Sequence, residues 1–404
     1  MVATWTYNAT EHLVLINLTT LKYQFIAAPV AALTGIVDSA LAVTSPISVA
    51  IIASSPNSPQ ALYHVKLSKP VSFTTLRSST TISVPKTFFA QGRSISFPRS
   101  NTGPDSGEKI DIIAKAHSTA HAFFFLPQNP HYVGPEGCLP PLIISIHGGP
   151  TLHSSPGLSL QWQYYTTRGY AVALLNYAGS SGYGRKYREI LNGKWGTLDV
   201  QDAADCARYL SSSGLIDGNA IGITGGSSGG YAALQAICDF PSLWAAAVSI
   251  SGISDIEALV KDTHKFESFY PLKLIFGQDV PRDESVRQVT YRQRSPRFKA
   301  QKNKITARTM LLQGREDQIV PLNQAEAMTR SILSNGGTAK LIVFGGEGHG
   351  FPREAENALR AVREENKWWR QSLAIQQASS HLEISISLAA LCYIAVIFWL
   401  YQRF

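Results

Sequence analysis

The stretch Ile221-Gly-Ile-Thr-Gly-Gly-Ser-Ser-Gly-Gly-Tyr231 joins a short apolar run to a turn of glycines and serines, and it decides the fold that we expect. Residues 220–224 are predicted to form a strand. Residues 231–238 are predicted to form a helix, because helix formers continue without a breaker until Pro241. A serine between strand and helix, with glycines two positions away on either side, is typical of a strained turn that exposes a nucleophilic hydroxyl.

The spacing of the glycines leaves the position of the nucleophile open. The pattern fits two registers: Ser227 flanked by Gly225 and Gly229, or Ser228 flanked by Gly226 and Gly230. Any flexible loop of this composition matches by chance, so the predicted strand and helix on either side are what favour a catalytic turn.

Strands and helices alternate from Pro141 onward, which predicts the α/β class with a mostly parallel sheet covered on both faces. The predicted strands are 142–146, 171–175, 245–250, 309–313 and 339–344, and the predicted helices are 198–210, 323–333 and 353–373. Residues 110–113 and 120–126 are predicted as edge strands that open this domain. The region between Ile250 and Arg308 gives no clear pattern.

The first part of the chain has a different pattern of residues. Short runs rich in Val, Ile and Thr, such as 12–17, 48–53 and 61–66, are separated by Pro and Ser and predict antiparallel strands. Residues 101–107 form a turn-rich boundary. We therefore divide the chain into a β-rich segment (1–105), a catalytic domain (106–375) and a candidate C-terminal transmembrane helix (384–401).

Two further side chains complete a predicted catalytic triad. A serine hydroxyl needs a base, and the base needs an acid that fixes its tautomer. Asp317 follows the strand 309–313 and His349 follows the strand 339–344, which gives the chain order Ser, Asp, His of α/β-hydrolases. Glu316 is an alternative acid, and Glu347 is a more remote one. The lone histidines are interpreted as ordinary polar residues: His12, His64, His117, His121, His131, His153, His264 and His381.

Acyl transfer also needs hydrogen-bond donors aimed at the oxyanion of the tetrahedral intermediate. The backbone N–H of Ser228 is one predicted donor if Ser227 attacks. The loop His147-Gly-Gly-Pro150 after the first buried strand supplies the other, and we assign it to Gly149 because proline has no N–H. The alternative for this loop is a simple tight turn.

These stretches together resemble the prolyl oligopeptidase family, most closely its acylaminoacyl-peptidase and dipeptidyl-peptidase-like branch. The resemblance covers roughly residues 85 to 373 and is carried by several motifs in order: 147–150, 176–183, 225–231, 262–267 and the surroundings of Asp317 and His349. It implies an α/β-hydrolase fold and serine peptidase activity. The branch pattern Gly-Gly-Ser-x-Gly-Gly-Tyr assigns the nucleophile to Ser227.

The chain departs from the family at its N-terminal side. Family members typically carry a complete β-propeller over the active site, whereas residues 1–105 are enough only for a truncated remnant. The resemblance therefore does not carry over dipeptidyl-peptidase specificity or the exclusion of large substrates.

Composition excludes several classes of protein. A chain of 404 residues with 45% hydrophobic residues can fill a sizeable core, which excludes a disordered protein. The net charge is +8, but only 16% of residues are charged, and the densest basic stretch, 292–308, lacks interleaved aromatic residues. We predict a solvated face there rather than a nucleic-acid site, with an anionic membrane surface as the alternative partner.

The four cysteines occur singly, which predicts buried free thiols and no metal site, and we expect no cofactor.

Residues 384–401 contain no charged residue. As a helix they would span about 27 Å, close to the thickness of the hydrocarbon core of a bilayer. We predict a C-terminal membrane anchor with the catalytic domain in the cytosol, since the first residues lack the pattern of a secretory signal. The alternatives are a buried closing helix or a tail appended to a cytoplasmic enzyme.

The leading functional hypothesis is a serine hydrolase that cleaves peptide or acyl-amide bonds through an acyl-enzyme. One alternative is an esterase, lactonase or amidase that acts on a small metabolite, because the same machinery cleaves esters and amides. The other is a non-catalytic scaffold tethered to a membrane. The substrate and the oligomeric state stay open.

Overall fold

The computed structural model describes residues 1–27, 41–81, 83–100, 118–262 and 268–373. The predicted strand at 110–113, the predicted transmembrane helix at 384–401 and Cys392 lie outside these ranges. Within them, no helix is both long and apolar enough to cross a membrane.

The N-terminal segment forms two antiparallel sheets, as its composition predicts. A three-stranded sheet contains β1 (Val2–Tyr7), β2 (Thr10–Ile16) and β3 (Tyr23–Phe25). A four-stranded sheet contains β4 (Leu41–Ser45), β5 (Ser48–Ser55), β6 (Ser58–Lys66) and β7 (Ser72–Ser78). Leu13 of the first sheet is buried with Val49, Ile51 and Val65 of the second. These sheets are consistent with a remnant of a propeller.

The rest of the chain is built on one eight-stranded sheet. Its strands are β8 (Arg93–Pro98), β9 (Thr119–Phe125), β10 (Leu142–Ile146), β11 (Ala171–Asn176), β12 (Ile221–Gly226), β13 (Ala246–Ile250), β14 (Arg308–Gly314) and β15 (Ala339–Phe344). They lie in the order β15-β14-β13-β12-β10-β11-β9-β8. The six strands from β10 to β15 run parallel, and β9 and β8 run antiparallel at one side. The predicted α/β-hydrolase fold is confirmed.

The sheet begins earlier in the chain than the predicted boundary at residue 105. Strand β8 pairs with β9, so Ile95 lies opposite Ala122. The run from Arg93 to Pro98 is short, and its alternation of polar and apolar residues depends on Ile95 and Phe97 alone, so its strand signal is weak. The strand β9 that we predict at the edge has a neighbour on each side.

Helices cover both faces of this sheet. They are α1 (Leu160–Thr166), α2 (Arg185–Glu189), α3 (Leu198–Ser212), α4 (Ser228–Asp239), α5 (Ile256–Asp262), α6 (Phe269–Phe276), α7 (Glu284–Gln293), α8 (Pro296–Lys302), α9 (Leu322–Ser334) and α10 (Ala355–Ser372), with a 3-10 turn at Lys86–Phe88. The sequence predicts α3, α4, α9 and α10. It misses α1, α2 and the four helices α5 to α8 between β13 and β14, because these helices are short and give too few turns for a clear period.

The basic stretch 292–308 is only partly the solvated face that we predict. The guanidinium of Arg294 donates hydrogen bonds to the carbonyl oxygens of Gly193 (2.8 Å) and Trp195 (3.1 Å). Lys299 forms an ion pair with Asp239. Lys302 and Lys304 are exposed. Part of this charge therefore holds α7 and α8 against the domain.

The prediction of buried thiols is right for two cysteines and wrong for a third. Cys206 in α3 and Cys238 in α4 are buried, and burial raises the pKa of both thiols. Cys138 is exposed, because it lies in a turn of the proline-rich connection that precedes β10.

Candidate active site

Ser227 occupies the turn between β12 and α4 in a strained conformation. Its φ and ψ angles are 55° and −120°, which a residue with a side chain rarely adopts. The backbone N–H of Ser227 donates to the carbonyl oxygen of Ile250 (2.9 Å), and its own carbonyl accepts from the N–H of Tyr231 (2.9 Å). Two backbone bonds thus hold the strained residue, whose side chain is partly exposed.

The glycines distinguish the two possible registers. A Cβ atom on Gly225 would lie 2.5 Å from the backbone of Gly229, and one on Gly229 would lie 2.1 Å from the carbonyl oxygen of Ile146. Both glycines that flank Ser227 are therefore required. A Cβ on Gly226 would meet only the carbonyl oxygen of Ile250, at 3.9 Å. Gly226, one of the two glycines that flank Ser228, is therefore not required to be glycine. This asymmetry favours Ser227.

The side chain of Ser228 points into the protein. It is only 3% exposed, and its Oγ accepts a hydrogen bond from Nε1 of Trp195 at 3.1 Å. Ser228 is also the first residue of α4, where a backbone N–H has no partner within the helix. Ser228 can therefore provide a backbone N–H beside Ser227 while its hydroxyl accepts the hydrogen bond from Trp195.

Asp317 and His349 are brought together as predicted. Nδ1 of His349 lies 2.9 Å from Oδ2 of Asp317. Oδ1 of Asp317 accepts the backbone N–H groups of Ile319 (3.0 Å) and Val320 (2.9 Å). Burial raises the pKa of this carboxyl, but the hydrogen bond and charge of His349 and the two N–H groups outweigh it, so the net shift is downward. An ionised Asp317 can only accept at Nδ1 of His349, so this contact favours the tautomer in which Nε2 can act as the base.

The two alternative acids have different surroundings from Asp317. Glu316 is exposed on the same turn. Glu347 is fully buried, and its carboxylate accepts the backbone N–H of Arg353 (2.8 Å) and of Glu354 (3.1 Å) and the side-chain amide of Asn357 (2.8 Å). Glu347 therefore stabilises the start of α10.

The topology of the sheet brings the three predicted triad residues to one edge. Strands β12, β13, β14 and β15 are parallel neighbours, and the last residues of β12 and β14 pair with the last residues of β13 and β15. Ser227, Asp317 and His349 each follow the carboxyl end of one of these strands. Ligands of parallel sheets bind at this edge.

The loop 147–150 runs directly beside Ser227. A Cβ on Gly148 would lie 3.6 Å from the Cβ of Ser227, so the backbone of this loop approaches the predicted nucleophile closely. Gly149 has a φ of 117°, which is accessible mainly to glycine. The two predicted oxyanion donors thus lie on Ser228, the residue after Ser227, and on Gly149 in a loop that approaches Ser227. Their role stays a prediction.

Sequence analysis missed one residue that holds this loop. The hydroxyl of Tyr177 lies 3.1 Å from the carbonyl oxygen of His147 and 3.2 Å from that of Pro150, and its ring stacks on His147 with centroids 4.3 Å apart. Tyr177 follows β11 directly, so its place at the carboxyl edge of a predicted strand was the available signal.

His147 itself is an uncharged residue of this framework. Its Nε2 lies 2.7 Å from Oγ of Ser180, and its Nδ1 lies 2.8 Å from the carbonyl oxygen of Gly148. Burial lowers the pKa of the imidazole to about 3. It therefore stays neutral at physiological pH, which suits a structural contact.

Comparison with known proteins agrees with this architecture. The model of the prolyl oligopeptidase family matches residues 156–376. Dipeptidyl aminopeptidase BIII of Pseudoxanthomonas mexicana is 27% identical over 258 residues, which is 63% of this chain and 37% of that protein. Acylamino-acid-releasing enzyme 1 of Oryza sativa subsp. japonica is 27% identical over 220 residues, which is 53% of this chain and 28% of that protein.

A solved structure extends the likeness to the N-terminal sheets. The puromycin-hydrolyzing peptidase of Mycobacterium tuberculosis is 30% identical with a TM-score of 0.79, and the match covers 93% of this chain and 53% of that one. The chain thus spans about half the length of this structure and 28% to 37% of the length of the two curated relatives.

Proposed function

The chain belongs to the prolyl oligopeptidase family, and from this premise we propose that it is a serine peptidase that hydrolyses peptide or acyl-amide bonds through an acyl-enzyme at Ser227. The observation that carries the proposal is the 2.9 Å contact between His349 and Asp317 at the sheet edge where the strained Ser227 is partly exposed. Each of the three side chains has one chemical task in this reaction.

The first half of the reaction forms the acyl-enzyme. Nε2 of His349 takes the proton of the Ser227 hydroxyl as Oγ attacks the carbonyl carbon of the substrate. The oxyanion that develops is stabilised by the backbone N–H groups of Ser228 and Gly149. The imidazolium then gives its proton to the leaving amine as the C–N bond breaks, and the acyl group stays on Ser227.

The second half repeats these steps with water as the nucleophile. His349 removes a proton from the water, which attacks the ester carbonyl, and returns the proton to Oγ of Ser227 as the acid product leaves. Asp317 remains ionised throughout, since its depressed pKa keeps it unprotonated at neutral pH. Its carboxylate orients the imidazole and stabilises the positive charge that the imidazole acquires.

The names of the relatives favour amide substrates over esters. They include a dipeptidyl aminopeptidase, acylamino-acid-releasing enzymes and a puromycin-hydrolyzing peptidase. This chain matches only part of each relative, so the choice between a free and an acylated amino terminus is left to experiment. The predicted anchor at 384–401 remains a proposal based on the sequence of that stretch.

Comparison of kcat/KM on aminoacyl arylamides, N-acylaminoacyl arylamides and simple aryl esters tests the proposal. We expect turnover of at least one amide class that is lost in Ser227→Ala. Turnover of esters alone would instead indicate an esterase or lactonase. Absence of turnover of all three by well-folded protein would support a non-catalytic scaffold.

A further inference from the structure

The first hairpin of the chain inserts its turn into the catalytic domain. Strands β1 and β2 are joined by Asn8 and Ala9, whose φ values are 49° and 52°. Such a turn favours glycine at its second position, and alanine is strained there. Ala9 is nevertheless 0% exposed, and its methyl belongs to the apolar cluster on one face of the eight-stranded sheet. The contact with the catalytic domain therefore offsets the strain of the turn.

The loop after β11 is shaped to receive this turn. The N–H of Ala9 donates to the carbonyl oxygen of Gly182 at 3.4 Å. Gly182 has a φ of 85°, and a Cβ on it would lie 3.0 Å from Cα of Ala9. A side chain at position 182 would thus push the hairpin away from the loop.

A polar contact beside the turn connects the hairpin to the loop that follows Gly149. Nε2 of His153 lies 2.8 Å from Oε1 of Glu11, and Nδ1 of His153 lies 2.8 Å from Oγ of Ser181. Glu11 is only 6% exposed although it belongs to β2. His153 is therefore not the ordinary polar residue that the sequence indicates.

The contact continues through the backbone to the predicted oxyanion loop. The N–H of Ser181 donates to the carbonyl oxygen of Leu152 at 2.8 Å. Leu152 and His153 come two and three residues after Pro150, whose carbonyl oxygen accepts a hydrogen bond from Tyr177. Tyr177 thus contacts both ends of the loop 147–150, and Glu11, His153 and Ser181 hold the segment that comes just after it.

We infer that Glu11 and His153 are positioning residues of the active site, which hold the predicted oxyanion donor Gly149 in place, so that the β1–β2 hairpin forms part of the catalytic apparatus. This inference rests on the proposed function. The donor acts on a charge that exists only in the transition state, so its displacement lowers kcat more than it raises KM. A misplacement of the order of 1 Å costs up to about a hundredfold in rate.

Substitution of Glu11 separates this role from a contribution to stability. Glu11→Leu keeps the approximate size but removes the acceptor, and we expect kcat on the best amide substrate to fall between about tenfold and a hundredfold with KM little changed. Glu11→Gln keeps an acceptor for Nε2 of His153 and should retain most of the activity. The affinity for a peptidyl trifluoromethyl ketone, whose adduct carries an oxyanion, should fall in Glu11→Leu by the same factor as kcat.

The ion pair between Lys340 and Glu364 provides the matched control, because it joins β15 to α10 and contains no residue of the candidate site. Glu364→Leu should leave kcat unchanged. If Glu11→Leu does not fold, Ser181→Ala removes the other side-chain partner of His153 and should lower kcat in the same way.

Wild-type kcat in a folded Glu11→Leu or Ser181→Ala protein would overturn the inference, as would a loss confined to KM or an equal loss in Glu364→Leu. In those cases an active wild-type protein leaves the proposed function intact. A wild-type protein that neither turns over nor reacts with a fluorophosphonate would overturn the proposed function and this inference together.

Discussion

The indole of Trp195 donates a hydrogen bond from Nε1 to Oγ of Ser228 at 3.1 Å. This contact makes two adjacent serines chemically different. Ser228 is held in the interior, whereas Ser227 occupies the strained position at the end of β12 and is partly exposed. Packing in the structure therefore distinguishes two serines that the glycine spacing in the sequence leaves equivalent.

Two neighbouring glycines should respond very differently to the same substitution. Gly225→Ala would place Cβ 2.5 Å from backbone atoms of Gly229, and we expect a loss of folded protein or of activity, since backbone atoms do not yield easily. Gly226→Ala meets only one atom at 3.9 Å and should retain activity within about threefold. Melting temperature and kcat of both variants check this. An active, stable Gly225→Ala with an inactive Gly226→Ala would favour the other register.

Asp317→Asn tests the role of the acid. The amide can donate as well as accept, so Nδ1 of His349 no longer has to carry the proton, and the tautomer that leaves Nε2 basic is lost. We expect kcat to fall by about 10⁴-fold at neutral pH. Glu316→Gln, on the adjacent exposed residue, is the matched control and should have wild-type kcat. Equal losses in the two variants would show that Asp317 is not the acid of the triad.

The raised pKa of Glu365 predicts that the folded protein loses stability towards alkaline pH. Burial raises the pKa of its carboxyl to about 7, partly opposed by the hydrogen bond from Tyr165 (3.2 Å). Between the unfolded value of 4.5 and about 7 the native state holds a proton that the unfolded state has released, so stability falls as pH rises through this window. Glu365→Gln keeps an acceptor for Tyr165 and should raise the melting temperature at pH 8 but not at pH 4.

The neighbouring Glu364 gives the opposite sign and serves as the control. Its hydrogen bond with Lys340 lowers its pKa, so its carboxylate stabilises the fold above the unfolded pKa, and that stabilisation disappears as pH falls through the folded value. Glu364→Gln should therefore lower the melting temperature slightly at pH 8. Stabilisation by both substitutions at pH 8 would contradict the assignment to Glu365.

The predicted C-terminal anchor is tested by fractionation without detergent. The full chain should sediment with membranes and be released by detergent, whereas residues 1–373, which include every helix and strand of the described structure, should stay in the supernatant. Full-length protein found in the supernatant would reject the anchor.

Sequence reasoning reached those parts of the site that depend on local patterns. The strand, turn and helix around Ser227 follow from apolar runs and glycine spacing, and Asp317 and His349 follow from their place after predicted strands. Parallel strands bring their carboxyl ends together, so these residues could be assembled without coordinates.

Contacts between distant segments were not predictable in this way. Glu11 and His153 are separated by 142 positions, and nothing in the sequence around either residue indicates the other. Arg99 likewise forms a buried ion pair with Asp202, which lies 103 positions further along the chain. Such pairs depend on how whole elements pack, which local periodicity does not encode.

Labelling with a fluorophosphonate tests the central claim most directly, because the probe reacts only with an activated serine. Purified protein is labelled, digested and analysed by mass spectrometry, in parallel with Ser227→Ala and Ser228→Ala. We predict modification of Ser227 in the wild type and in Ser228→Ala, and none in Ser227→Ala. Labelling that persists in Ser227→Ala and vanishes in Ser228→Ala would contradict the account.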